Sequence, residues 1–324
     1  AAELHSGLID RSRPLWEFHV FDRVLCPDGS VCGAMYSKIH HATLDGKSGT
    51  VLTQAMMDVS ATPRAVPPPD AKPRKAQSLK VGQMLGAVFS NSLAQYAKLA
   101  RALPQAAQTL GSTVARQSLQ GQGSGLRPKS PITLAPMTDF NVAVGSARSF
   151  GTASIPFEDC RAMAQAAGGS FNDIVLWICA TALRTYLAQH GSIPRKPLLA
   201  AMPVSLREEG NTDYSTQASM TVVALGTHLA QPLKRLQAIM DSTAKVKTAM
   251  VQLKGMLPTD YPSLLAPWIV GGVAKAAFKT YSATGLSKRL PMVANLVISN
   301  VPGPQVPLYL AGARMLSFHP MSIV

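Results

Sequence analysis

The amino-acid sequence predicts an α/β fold in which mixed β-sheets are flanked by helices. Residues 14–24 and 31–39 alternate like strands, and the Pro-Asp-Gly turn between them predicts an antiparallel hairpin. The second half alternates strand-length apolar runs with longer runs at helical spacing. Hydrophobic residues make up 47% of 324 residues, so a large core can be buried and a disordered chain is excluded.

The first half continues with helical and irregular segments. A helix is predicted over 48–59 from the spacing of its apolar residues. The Pro-rich basic segment 61–78 predicts an exposed loop, and 79–119 shows helical periodicity that Pro104 interrupts. The Gly/Ser/Gln-rich run at 120–131 follows, and it is the best candidate for a crossover between two halves.

The second half is predicted to contain four strands and four helices. The strands are predicted at 147–155, 197–207, 220–227 and 291–300, and the helices at 157–167, within 168–191, at 232–254 and at 263–281. Ser170 and Asp173 have the spacing of a capping box at the start of the second helix, and Gly191 follows its end.

The net charge of +14 comes from 31 Lys and Arg against 17 Asp and Glu. Such an excess favours nucleic acid, an anionic membrane or a phosphate-bearing cofactor as partner, or it is an ordinary solvated surface. Nucleic acid is disfavoured because aromatic residues are only 6% and no nucleic-acid-binding motif is present. The helix at 232–254 has an apolar side (Leu233, Leu236, Ile239, Met240, Val246, Met250, Leu253) and a basic side (Lys234, Arg235, Lys245, Lys247, Lys254).

The cysteines and the apolar runs bear on the compartment. Cys26, Cys32, Cys160 and Cys179 form no CxxC pair, which predicts buried free thiols and a reduced, cytoplasmic setting. The longest apolar run, 264–274, is shorter than the roughly 20 residues that span a bilayer. We therefore expect any membrane contact to be peripheral.

The stretch KIHHATLDG at 38–46 is the principal candidate site. A metal site needs three or four ligands, and adjacent side chains such as His40 and His41 rarely reach one ion. A polar turn whose histidines form only local hydrogen bonds is a second interpretation. A neutral histidine with a pKa near 6.5 is also suited to act as a general base. No GxSxG elbow is present, so a covalent serine mechanism has little support.

HHATLDG resembles the HHxxxDG motif of the CoA-dependent acyltransferase superfamily. Four further stretches, taken in order, resemble the bacterial wax ester synthase/diacylglycerol acyltransferase family. They are PLW (Pro14, Leu15, Trp16), Asn172-Asp173 at the head of a helix, MPVSLR at 202–207 and NLVISNVPGPQVPLYLAGARM at 295–315. The resemblance covers nearly the whole chain and is weakest from about residue 61 to residue 130.

The resemblance implies two subdomains like those of chloramphenicol acetyltransferase, with a tunnel between them. The corresponding boundaries are a partial N-terminal subdomain at 1–119, a crossover linker at 120–140 and a C-terminal subdomain, itself incomplete, at 141–324. It also implies acyl-CoA as co-substrate on one side of the tunnel and a long-chain alcohol or diacylglycerol on the other. No metal and no permanently bound cofactor are implied.

By correspondence with the motif, His41 is the general base and His40 supports it, while Asp45 and Gly46 shape the loop. The resemblance further implies that His41 deprotonates the acceptor hydroxyl, that the alkoxide attacks the thioester, and that no acyl-enzyme forms. The remaining candidates are residues of the tunnel or substrate site: Asn172, Asp173, Pro14, Leu15, Trp16, Ser299 and Asn300.

Each of these candidates has a structural alternative. Trp16 is also suited to the core. The pair Asn172-Asp173 either caps the helix or supplies an amide that stabilises the oxyanion. Ser299 and Asn300 either end a strand or line the tunnel near the thioester.

The position of the motifs predicts that the chain is part of a longer protein, because family members carry a substantial stretch before HHxxxDG. We expect this protein to be cytoplasmic and to contact a membrane or lipid inclusion peripherally, without binding nucleic acid. The alternatives are another HHxxxDG enzyme, such as a condensation-type or natural-product acyltransferase, and a basic, non-enzymatic binder of membranes or nucleic acid.

Overall fold

The computed structural model describes residues 1–26, 28–40, 43, 52–53, 55–65, 134–142, 145–205, 218–254 and 293–321. Several predictions concern other residues: the helices within 79–119 and at 263–281, most of the crossover linker, and His41, Asp45 and Gly46. These predictions lie outside the described residues.

The N-terminal hairpin is confirmed. Strand β1 (Trp16–Leu25) pairs antiparallel with β2 (Val31–Ile39), so that Trp16 lies opposite Ile39 and Leu25 opposite Val31. A short helix, α1 (Ala2–Ser6), precedes the hairpin. Lys38 Nζ donates a hydrogen bond to Leu4 O at 2.8 Å, which fastens α1 to the end of β2.

The prediction of four free thiols is wrong for two of the cysteines. Cys26 and Cys32 form a disulfide across the hairpin turn, with their Cα atoms 6.5 Å apart. The turn brings them together because Cys26 N donates to Ser30 O at 2.8 Å, so residues that flank the turn face each other. Cys160 and Cys179 are free, the first buried and the second half-buried.

In the part of the second half that the structure describes, the elements are arranged around a three-stranded mixed sheet. Its central strand β3 (Leu199–Ser205) is antiparallel to β4 (Ala218–Ala224) and parallel to β5 (Leu296–Val297). The helices are α2 (Phe157–Ala167), α3 (Phe171–His190) and α4 (Pro232–Lys254). One apolar cluster joins α3, α4 and the sheet, and its buried members are Leu176, Ala180, Leu187, Leu198, Ala200, Val223, Leu225, Ile239 and Ile298.

Two predicted strands differ from the structure. Residues 147–155 are irregular, with Phe150 and Ile155 exposed, because no described strand lies beside them to complete a ladder. The strand predicted over 291–300 shrinks to the two residues of β5. Beyond β5, the backbone N–H of Ile298 donates one further hydrogen bond to Ala201 O at 3.0 Å.

The prediction for the two sides of α4 is wrong at its first turn. Leu233 is 78% exposed, whereas Arg235 is only 3% exposed and therefore not part of a solvated basic face. Leu236 and Ile239 are buried as predicted. The buried stripe therefore runs through Arg235, Leu236 and Ile239, and it leaves Leu233 on the solvent side.

A buried asparagine joins β5 to the rest of this half. The backbone N–H of Asn295 donates to Leu199 O at 2.8 Å, and its Oδ1 accepts from Leu199 N at 2.9 Å. Its Nδ2 donates to Pro136 O and to Asn141 Oδ1, both at 2.7 Å. This side chain therefore satisfies polar groups of two other segments, β3 and the stretch that contains Pro136 and Asn141.

The C-terminal hairpin contacts the first half of the chain. Strands β6 (Tyr309–Leu310) and β7 (Ala313–Arg314) pair with each other, and Tyr309 also forms an antiparallel bridge with Asp58. The described residues of the helix predicted at 48–59 are helical as far as residue 56 and lead directly into this bridge.

Among the described helices, none is individually long and apolar enough to cross a membrane. Helices α2 and α3 pass such a test only when they are taken together, as a pair bent by 105°. The chain changes direction between the two helices at Gly168, which ends α2 in the left-handed conformation with a φ of 67°.

Replacing Asn295 is expected to destabilise the protein. Asn295→Ala leaves the amide of Leu199 and the carbonyl of Pro136 without partners, so the free energy of unfolding falls by about 3 kcal/mol. Urea unfolding measures the change. Asn300→Ala removes an exposed amide instead and serves as the matched control. An Asn295→Ala protein as stable as this control contradicts the assigned role.

Candidate active site

The PLW turn holds the first residue of the His-His loop. The backbone N–H of His40 donates to Leu15 O at 2.9 Å, directly beyond the pairing of Trp16 with Ile39. The turn itself is closed by a bond from Trp16 N to Pro14 O at 2.7 Å. Two motifs that are separated in the sequence are therefore neighbours in the backbone of one hairpin.

The carbonyl of His40 closes the loop from the other side. Thr43 donates to it twice, from its backbone N–H at 2.9 Å and from its hydroxyl at 2.6 Å. A turn is therefore fixed at His40 and Thr43, on either side of the predicted base His41. His41, Asp45 and Gly46 themselves lie outside the described residues, so their roles stay predictions.

Trp16 is not a core residue of the described hairpin. It is 53% exposed, and its ring lies against Phe18 with the ring centroids 5.1 Å apart. Both residues lie on the same face of β1, because side chains alternate along a strand. The structural contribution of the PLW turn is therefore the hydrogen bond that Leu15 accepts from His40.

The capping role of Asp173 is confirmed. Its Oδ2 accepts from the backbone N–H of Ser170 at 2.8 Å and from the Ser170 hydroxyl at 2.6 Å, which completes the predicted capping box. Its Oδ1 accepts from the Thr243 hydroxyl of α4 at 2.7 Å. This carboxylate therefore both starts α3 and ties it to α4.

The environment of Asp173 favours its charged form. Burial alone would raise the pKa of this carboxyl, but hydrogen bonds from Ser170 and Thr243, together with the charge of Lys247, hold its pKa below the usual 3.8. Thr243 is not among the residues predicted from the sequence. The helical spacing of Thr243 could have predicted its burial, because it lies four residues after Ile239 and three before Val246 on the same face of α4.

Asn172 belongs to a different set of contacts from its neighbour. Its Oδ1 accepts a long hydrogen bond of 3.4 Å from Asn300 Nδ2, and its own Nδ2 lies 3.7 Å from the sulfur of Met202. Three predicted motifs meet here, since Met202 begins MPVSLR and Asn300 follows β5. Asn172 is half-buried, Ser299 and Asn300 are exposed, and the cluster is thus open to a ligand.

The structure brings the predicted residues together in two groups. One group is Pro14, Leu15, Trp16 and His40, at the open end of the N-terminal hairpin. The other is Asn172, Asp173, Ser299 and Asn300, at the start of α3 and beyond the end of β5. Within the described part of the chain, no three His, Cys, Asp or Glu side chains are grouped as metal ligands would be.

Comparison with known proteins decides the family. Residues 1–175 match the wax ester synthase/diacylglycerol acyltransferase catalytic domain, and residues 215–324 match the WS/DGAT C-terminal domain. The chain belongs to the wax ester synthase/diacylglycerol acyltransferase family. The predicted family is thereby confirmed, in preference to the other HHxxxDG enzymes that the sequence left open.

Individual relatives agree with this family. The chain is 36% identical to a putative diacylglycerol O-acyltransferase of Mycobacterium tuberculosis, over 100% of this chain and 66% of the relative. It is 32% identical to the O-acyltransferase WSD of Acinetobacter baylyi, over 99% of this chain and 65% of that protein. The chain therefore spans just under two thirds of the length of these relatives.

A solved structure supports the fold. The wax ester synthase/diacylglycerol acyltransferase of Marinobacter aquaeolei VT8 superposes with a TM-score of 0.57 at 25% identity, over 98% of this chain and 60% of that protein. The predicted mixed α/β architecture, with small sheets and flanking helices, is confirmed.

Asp173→Asn is expected to weaken the junction of α3 with α4. An amide offers one acceptor in place of two, so the stability at neutral pH falls by about 1–2 kcal/mol. Because the folded pKa lies below 3.8, the native carboxylate stabilises the fold above that pH, and the stabilisation is lost as the pH falls through the lowered value.

Urea unfolding at neutral pH and at pH values below 3.8 measures this difference. Asp241→Asn, an exposed change on α4, is the matched control and should leave stability unchanged at every pH. A gap between Asp173→Asn and wild type that does not narrow in acid contradicts the role of the carboxylate.

Proposed function

We propose that the protein to which this chain belongs transfers a fatty acyl group from acyl-CoA to the hydroxyl of a long-chain alcohol or a diacylglycerol. The observation that carries the proposal is the family match over a chain with the HHxxxDG loop intact. The hydrogen bonds that hold His40 and Thr43 support it, since a general base needs a fixed loop.

In this proposal His41 accepts the proton of the acceptor hydroxyl. The oxygen then attacks the thioester carbonyl carbon, and a tetrahedral oxyanion forms. When the oxyanion collapses, the carbon–sulfur bond breaks, and CoA leaves as a thiol after the imidazolium returns the proton. The ester oxygen comes from the acceptor, so no residue of the protein is acylated.

Asn172 is the proposed donor to the oxyanion. Its Oδ1 accepts from Asn300, while its Nδ2 lies against the sulfur of Met202, which is a weak acceptor. An amide group held in this way keeps donor capacity for a negatively charged oxygen. Asp173 holds the first turn of α3 and thereby the backbone of Asn172.

His41→Ala is expected to remove most of the activity, because general base catalysis contributes about 10²–10⁴-fold. The assay incubates the whole protein with palmitoyl-CoA and either hexadecanol or a diacylglycerol, and it follows release of the CoA thiol. His228→Ala, an exposed histidine before α4, is the matched control. Unchanged turnover by His41→Ala rejects the base, and no thiol release above background with either acceptor rejects the lipid substrates.

The same assay tests the proposed role of Asn172 as a donor to the oxyanion. Loss of one oxyanion donor lowers kcat by about 10²–10³-fold in other acyl-transfer enzymes, and a similar fall is expected for Asn172→Ala with little change in KM. Asn172→Asp keeps the size of the side chain but adds a negative charge, so it should be at least as slow. A change confined to KM assigns Asn172 to substrate binding instead.

We further propose that the protein acts in the cytoplasm at the surface of a membrane or lipid inclusion, where both acceptors reside. Lys234, Lys245 and Lys247 are exposed on α4 and support contact with anionic lipid. Co-sedimentation with phosphatidylglycerol vesicles is expected at low salt and should weaken at high salt. Binding to neutral vesicles that equals binding to anionic ones contradicts the electrostatic contact.

A further inference from the structure

A second site lies on α3, away from the proposed active site. Arg184 of α3 and Arg235 of α4 line one cavity of about 380 Å³. Arg184 is twelve residues beyond Asn172, which places it about 18 Å further along the helix axis. The cavity shares no residue with the two groups described above.

The two guanidinium groups have no negative partner in the described structure. Arg184 Nη1 donates to Thr227 O at 2.6 Å, and Arg235 Nη1 donates to Leu229 O at 3.1 Å. Both acceptors are neutral carbonyls. Among the described residues, the ion pairs of arginine are those of Arg13, Arg64 and Arg161, and none involves this pair.

Arg235 is the more constrained of the two. It is almost completely buried, and its Nε is a buried donor with no hydrogen-bond partner. Burial lowers the pKa of this guanidinium, and the nearby positive charge of Arg184 lowers it further. Holding a buried guanidinium beside a second positive charge is unfavourable unless an anion neutralises it.

An apolar groove adjoins the charged cavity. The groove is an open depression of about 500 Å³ along one face of α3, and its apolar residues are Trp177, Ile178, Ala182 and Tyr186. Thr181, Thr185 and Gln189 line both cavities, so the two open side by side along α3. A ligand that fills both therefore needs an anionic end and an apolar end.

We propose that this composite site binds a single-chain amphiphile whose head group is an oxyanion, either a carboxylate or a phosphate. The head lies between Arg184 and Arg235, where planar guanidinium groups match the geometry of both oxyanions. The chain lies along the apolar groove against Trp177. Neutralisation of the arginine pair supplies the selectivity for anionic over neutral amphiphiles.

Fluorescence of Trp177 provides the test, carried out on the whole protein. Bromododecanoate quenches the fluorescence of a tryptophan that its chain contacts. The part of the quenching that is lost in Trp177→Phe comes from Trp177 and therefore measures binding in the groove. Saturable quenching of this part is expected. Arg184→Gln keeps a donor for Thr227 O but loses the charge, so it should weaken binding roughly tenfold.

Two further variants keep the result interpretable. Arg161→Gln removes an exposed arginine of α2 and should bind as wild type. Ala182→Glu places a carboxylate in the groove at an exposed position of α3, where folding tolerates it, and should abolish the quenching. Equal binding by Arg184→Gln and wild type overturns the proposal, as does undiminished binding by Ala182→Glu.

Competition identifies the head group. Dodecanoate and dodecyl phosphate should displace the probe, and the stronger competitor is the preferred oxyanion. Dodecanol should not displace it, and equal displacement by this neutral alcohol overturns the role of the arginine pair. Inorganic phosphate that competes as well as dodecyl phosphate overturns the role of the groove.

Discussion

The paired hydrogen bonds between Asn295 and Leu199 determine how the second half of the chain is assembled. They place β5 beside β3 in one register, although the two strands are joined by only two residue pairs. Asn300 lies five residues further on and reaches Asn172 only because this register is fixed. Without a buried side chain to extend the ladder, so short a parallel strand would have little to prevent it from slipping.

The junction of α3 with α4 depends on a second polar contact of the same kind. Asp173 accepts hydrogen bonds from both helices, from Ser170 and from Thr243, so the first turn of α3 cannot move independently of α4. The proposed oxyanion donor is the residue directly before this carboxylate. Two buried polar side chains therefore orient the contact between Asn172 and Asn300. Asp173 holds the helix turn that carries Asn172, and Asn295 holds the strand that leads to Asn300.

Features that depend on neighbouring residues could be predicted from the sequence. The hairpin follows from its turn, the capping box from the spacing of Ser170 and Asp173, and α4 from the helical spacing of its apolar residues. The family came from ordered motifs rather than from periodicity. The PLW turn lies beside His40 because β1 pairs with β2, and the predicted hairpin already contains this pairing.

Features that depend on tertiary contacts were either not predicted from the sequence or predicted wrongly. Arginine is usually an exposed residue type, yet Arg235 lies on the buried stripe of α4, where its Nη1 donates to Leu229 O. Residues 147–155 have strand composition, yet a strand requires a neighbour that composition does not reveal. The Cys26–Cys32 disulfide does not follow the CxxC pattern, because it is the hairpin turn that brings the two cysteines together.

The bridge between Asp58 and Tyr309 has a consequence for synthesis of the chain on the ribosome. Its partners are about 250 residues apart, and at 5–20 residues per second roughly 12–50 s separate their emergence. During that interval the segment following the His-His loop has no strand partner. Closing so long a loop is also slow. Completion of this part of the molecule therefore awaits the synthesis of Tyr309, and chaperones have time to act on it.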